Sequence, residues 1–288
     1  MIRRNTSMSK LKKVLCIFLS LIAAGIFAVT AIAAAPAGKS VSEMKEYLLS
    51  IDIPSEFIEM LDEDGIADMY DELYGKNAVF EGMRTVSACD SEVQTRASIS
   101  EENLKFAMVI TSLFPNDEAT QPLDSVGLFI AYDWLNIPGD RKTDGIIVGW
   151  DADVFTYEAN SFGAMSSGSQ VSHGVVSDSF NHTYTRPALI GMDSLGYDVK
   201  LNGFGSFKPD SLSGYASLRL LPRQSPMYRG GNYVTSFTAQ YRHLWDSGEV
   251  EVGFDLSTSA FGLSVVFATV ENTSTAAISA NYKYRYEY

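Results

Sequence analysis

Polar and apolar residues follow two different rhythms along this chain, and the change between them divides it. From residue 40 to residue 75 the apolar positions recur every three to four residues. Met44 and Leu48 are four apart, Phe57 and Leu61 repeat that spacing, and Ile66, Met69, Tyr70 and Leu73 fall at i, i+3, i+4 and i+7. Those intervals place each set on one side of a helix. Ser40 and Glu43 stand three apart as a capping box, Pro54 can open a second helix, and Gly75 supplies a left-handed stop. The pattern predicts three short amphipathic helices that close on one another.

Beyond residue 104 the period becomes two. Leu104, Phe106, Met108 and Ile110 alternate with other residues, and Val126, Leu128, Ile130, Tyr132 and Trp134 form a second stripe. A helix is the alternative for residues 101–113, because "SEENLKFAMVI" opens like one. Ile146, Val148, Trp150, Ala152 and Val154 face one way in a third stripe. Tyr197, Val199, Leu201 and Phe207 make a fourth, with Gly203 and Gly205 marking a bulge. "YRHLWDSGEVEVGFDL" reads as a hairpin turning at "DSG", and residues 261–270 read as a strand apolar on both faces, suited to a sheet centre.

At the end, Ala276, Ile278, Ala280, Tyr282, Tyr284, Tyr286 and Tyr288 share one face. Ala277, Ser279, Asn281, Lys283, Arg285 and Glu287 share the other. Such a strand lies half in a core and half in water, with tyrosines at the core margin. Two other readings attach to the stripe. Tyr282, Tyr284 and Tyr286 exposed in a row would stack on carbohydrate or peptidoglycan, and an aromatic last residue also closes outer-membrane barrels.

These rhythms predict a mainly β protein, α+β overall: a short-helix segment followed by an antiparallel β-sandwich or barrel-like domain. The expected boundaries are 1–33 signal peptide, 34–76 acidic helical segment, 77–103 linker or loop and 104–288 β domain. Residues 163–172, "GAMSSGSQVS", read as a flexible serine-rich loop.

Charge changes the picture at the amino terminus. Arg3, Arg4, Lys10, Lys12 and Lys13 precede an uncharged run from Val14 to Ala35 that ends in small residues. Ala31 and Ala33 fit the −3 and −1 positions of a signal peptidase site, so cleavage after Ala33 is expected, with an uncleaved anchor as the alternative. The "RRNTSM" stretch lacks the apolar residue of a twin-arginine signal. Export would leave Cys89 as the one cysteine of the mature chain, hence no internal disulfide. Cys16 opens the apolar run rather than following it, which does not suit a lipoprotein cysteine.

The formal charge of −13 becomes −18 once those five basic residues are removed, with 17 Lys and Arg against 35 Asp and Glu. A field of that sign disfavours nucleic acid and anionic lipid.

Motifs for chemistry are sparse. The chain has no HExxH, CxxC or GxSxG, and its three histidines, His173, His182 and His243, lack zinc spacing. His243, between Tyr241 and Trp245, suits an aromatic core position. Asp62 and Asp64 before Gly65 fail the register of a calcium loop. Asp151, Asp153 and Glu158, following Trp150, are the best carboxylate cluster. Asp151 and Asp153 are expected to point the same way from one strand, as a glycosidase pair or a calcium site would require.

The expectation is therefore an exported bacterial protein that acts as a non-catalytic binding or structural module, secreted or attached to the envelope. Its expected partner is an envelope component or a carbohydrate. A polysaccharide hydrolase using residues 151–158 is the alternative from another class. A membrane-active β protein, deploying the strands of residues 230–288 as a barrel or pore, is a third.

Overall fold

The computed structural model describes residues 38–86, 99–114, 123–139, 143–201, 209–223, 232–244, 254–259, 262–267 and 273–285. The expected signal segment, Cys89, the "DSG" turn, Gly203, Gly205, Phe207, Tyr286 and Tyr288 lie outside them.

Three helices open the described chain: α1 (Val41–Ser50), α2 (Ser55–Ile58) and α3 (Glu63–Leu73). The capping box forms as the sequence implies, with the Glu43 N–H donating to Ser40 Oγ and the Ser40 N–H donating to Glu43. Pro54 caps α2, Asp62 caps α3 by accepting the Gly65 N–H, and Gly75 takes φ 73° just past α3. Met44, Leu48, Phe57, Leu61, Ile66, Met69, Tyr70 and Leu73 are all buried.

The strands are β1 (Asn77–Thr85), β2 (Leu104–Phe114), β3 (Ser125–Trp134), β4 (Thr143–Gly149), β5 (Phe155–Tyr157), β6 (Gly163–Ser172) and β7 (Val175–Tyr184). After them come β8 (Leu189–Ile190), β9 (Ser194–Lys200), β10 (Ser211–Pro222), β11 (Asn232–Leu244), β12 (Phe254–Ser259), β13 (Gly262–Phe267) and β14 (Thr273–Arg285). One antiparallel sheet has the order β1-β2-β3-β10-β6-β7, with β5 also on β10, and a second has the order β14-β11-β4-β9-β8.

The two sheets enclose one core. Phe106, Met108, Ile110, Leu128, Ile130 and Tyr132 from the first meet Ile146, Val148, Tyr197, Phe237, Tyr241 and Tyr282 from the second. The opposite face of the first sheet, through Ala107, Val109, Phe129, Ala131, Met165 and Tyr215, packs on the helices. This explains why β2 and β3 are apolar on both sides: each is covered twice. The same double cover makes residues 104–114 a strand rather than the helix that their opening suggested.

Several expectations need correction. Asn77–Thr85 is an edge strand rather than linker, and it pairs with β2 through a bulge between Phe80 and Gly82. Its side chains are half-buried or exposed, and Ala78, Phe80 and Met83 pack on the helix-side core with the bulge breaking their period. Residues 163–172 form β6 rather than a loop. Serine and glycine serve there because neighbours fill the space: a Cβ on Gly168 would lie 2.5 Å from the Phe180 ring.

The third stripe breaks after Gly149, where a turn separates β4 from β5. β11 bonds β14 along one edge and β4 along the other, while Phe254–Ser259 pairs with β13 instead of folding back on β11. β13 thus sits, among the described residues, in a two-stranded sheet and not at a sheet centre. No helix of the described residues is long and apolar enough to cross a membrane.

Candidate interaction edge

The final strand resolves the tyrosine question as far as it is described. Ala276, Ile278, Ala280 and Tyr282 are buried, whereas Ala277, Ser279, Asn281 and Lys283 are exposed. The Tyr282 hydroxyl lies 2.7 Å from Ser112 Oγ, and its ring packs on Phe155 and Phe237. Burial pushes that phenol well above its ordinary pKa. Tyr282 belongs to the core, the Tyr284 side chain lies outside the description, and so do Tyr286 and Tyr288.

The carboxylates of residues 151–158 do not share a strand face. Asp151 opens a turn, its Oδ1 accepting the Asp153 N–H at 2.9 Å and its carbonyl accepting from Val154 and Phe155. Glu158 lies beyond β5 and binds Arg219 at 3.0 Å, which also holds Glu72 at 2.9 Å. Asp151 thus caps a turn, and Glu158 shares Arg219 with Glu72. No group of three metal-binding side chains occurs among the described residues.

The histidines separate. His173 sits in the β6–β7 turn with φ 53°, and His182 lies on β7 with its ring 5.1 Å from that of Phe180. His243 is in the core, as its aromatic neighbours suggested. Its Nδ1 lies 2.9 Å from Asp144 Oδ1, the Tyr241 hydroxyl donates to Asp144 Oδ2 at 2.7 Å, and Trp134 Nε1 donates to the Tyr241 oxygen at 3.0 Å. An aspartate orienting a histidine resembles the base of a hydrolytic triad in chemistry. Here both are buried, Asp144 completely, and the chain of bonds runs from the first sheet to the second. It ties the sandwich together.

A second polar network docks α3 on the first sheet. Ser167 donates to Asp62 at 3.1 Å, Asn181 donates to Asp64 at 3.2 Å, and the Tyr215 hydroxyl donates to Asp68. Burial raises the Asp62 and Asp68 carboxyls above the ordinary carboxylate range, and repulsion from Asp64 adds to this.

Exposed apolar side chains, by contrast, are concentrated in one stretch of the sequence. Eleven large apolar side chains are exposed among the described residues. Six of them, Val171, Val175, Val176, Leu189, Ile190 and Met192, fall between residues 171 and 192. Val175 and Met192 are 68% and 72% exposed. These residues belong to the β6–β7 hairpin, to β8 and to the loop after it. β7 ends the first sheet and β8 ends the second, whereas β1 and β14 touch at the opposite edges. One side of the sandwich is therefore closed, and the other presents two edge strands with apolar flanks.

The hairpin turn is His173-Gly174, both at positive φ, as two-residue hairpin turns of the primed type require. β7 is exposed on both faces over its first half. A long exposed edge is normally shortened, charged or covered, because its unpaired N–H and C=O groups invite another strand. The sequence reading missed this surface: it took β6 for a loop and expected aromatic side chains to mark the site.

No protein-family model matches the chain, and no curated protein or solved structure resembles it significantly.

Proposed function

We propose that the chain is an exported, non-catalytic module of the extracellular space or cell envelope, binding its partner along the β7–β8 side of the sandwich. The observation that carries this reading is the concentration of exposed Val, Leu, Ile and Met in residues 171–192. Leaving Val171, Val175 and Val176 in water together at one hairpin end forgoes the stabilisation that burial would bring, and points to an interaction surface there. Export rests on the basic segment, the uncharged run and the Ala31/Ala33 pair.

A sedimentation assay with isolated cell-envelope material tests the proposal. The wild-type protein should co-sediment without degrading the material. The Val175→Asp, Val176→Asp double variant should stay in solution with an unchanged melting temperature, because both side chains already face water. Equal co-sedimentation of the two proteins, or none by the wild type, would remove the β7–β8 side from the account.

A further inference from the structure

Resting on the interaction edge proposed above, we infer that β7 pairs antiparallel with the β7 of a second copy of this chain, about a two-fold axis at Phe180.

The backbone direction comes first. The Ser169 carbonyl accepts the Asp210 N–H, so the backbone of Ser169 faces β10 and its pairing with Ser179 is of the non-hydrogen-bonded kind. The Ser179 N–H and C=O therefore point away from β6, toward the outer edge. The Ser179 N–H is met there by its own neighbour, Asp178 Oδ1, at 2.9 Å. By the two-residue period, Asn181 and Thr183 also present their backbone outward, whereas the bulge at Ser177 interrupts that period before Asp178. Among the described residues no strand pairs along this edge.

An antiparallel two-fold axis relates residue i to itself, so the candidate centres are single residues. Centring on Phe180 makes a hydrogen-bonded pair of Ser179 with Asn181, twice by symmetry. These carry small polar side chains on the helix side of the sheet. It makes close, non-hydrogen-bonded pairs of Phe180 with Phe180 and of Asp178 with His182 on the other side, all on the regular side of the bulge at Ser177. The acid meets the imidazole twice by symmetry, and the half-buried Phe180 rings meet each other. Centring on Ser179 instead sets Asp178 against Phe180. Centring on Asn181 sets Asp178 against Tyr184, whose hydroxyl already accepts the Lys200 N–H and contacts Ser166. Hydrogen-bond complementarity between the carboxylate and the imidazole selects Phe180. In the pair, Asp178 turns from the Ser179 N–H to the facing His182, and that N–H passes to the Asn181 carbonyl of the other copy.

Sedimentation velocity over a concentration series tests this on the purified protein. The wild type should dimerise. Asp178→Lys sets lysine against His182, and His182→Asp sets acid against acid. Each should raise the dimer dissociation constant about tenfold, since each spoils two symmetry-related cross-strand pairs. The double variant Asp178→Lys, His182→Asp sets lysine against aspartate and should recover the wild-type constant, which a misfolded single variant could not produce. A wild type that is monomeric throughout overturns the inference, and so does a dimer indifferent to all three changes. A monomer that floats with phosphatidylglycerol vesicles gives the edge to a membrane and overturns it equally. Envelope binding that still depends on Val175 and Val176 in a monomer would leave the proposed function standing while the dimer falls.

Discussion

Replacing Asp144 by alanine should cost about 1–3 kcal/mol of stability for each buried polar partner left unsatisfied. The carboxylate is fully buried, and it receives the Tyr241 hydroxyl at 2.7 Å and lies 2.9 Å from His243 Nδ1. Without it, two buried polar groups lose their acceptor. The Trp134–Tyr241 bond that joins the sheets then loses its anchor. Asp144→Asn, which keeps the shape and one acceptor oxygen, should cost less than alanine. Denaturant unfolding of the two variants checks the order and the size. A loss below about 1 kcal/mol for alanine would show that the network is dispensable to the sandwich.

Tyr282→Ala is the second large effect. The side chain is 4% exposed, packs between Phe155 and Phe237, and bonds Ser112 across the sandwich. Truncating a buried aromatic side chain costs about 3–5 kcal/mol through lost transfer energy and a residual cavity. For a domain of this size that lowers the melting temperature by on the order of 10 °C. Tyr282→Phe separates the two contributions, because it keeps the ring and loses only the hydroxyl bond, and it should cost about 1 kcal/mol. Unchanged thermal melting of Tyr282→Ala, combined with lost binding to envelope carbohydrate, would return the stripe to the ligand-site reading.

The fold was legible wherever one residue's surroundings follow from its near neighbours in sequence. Ser40 and Glu43 act on backbone groups three residues away, so the capping box could be read directly. Ala276 to Tyr282 obey strict parity because water lies on one side and the core on the other. Parity failed where long-range packing replaced it. β6 carries serine and glycine on its inner positions because Phe180 and Tyr184, from the next strand, fill or bond the space beside Gly168 and Ser166. β1 shows only a short stripe, Ala78 and Phe80, because a bulge shifts Met83 out of its period. A turn after Gly149 cannot be seen in a stripe whose parity runs on through Trp150.

The interaction edge was illegible for a related reason. Val175 and Val176 look like ordinary strand residues, and only the topology shows that, among the described residues, β7 has a neighbour on one side alone. The His173-Gly174 turn, flanked by short residues of high strand propensity, was the available local signal for the hairpin. His243 was placed correctly among aromatics, yet its partner Asp144 lies 99 positions away and carries no sequence mark.

Hydrogen exchange of the full protein, with and without saturating cell-envelope material, tests the central claim most directly. The account predicts that envelope material slows exchange within residues 171–192, at the hairpin end around Val171, Val175 and Val176 and around β8, and leaves α1 to α3 unchanged. Protection confined to the helices, or an exchange pattern in residues 171–192 that envelope material does not alter, would contradict it.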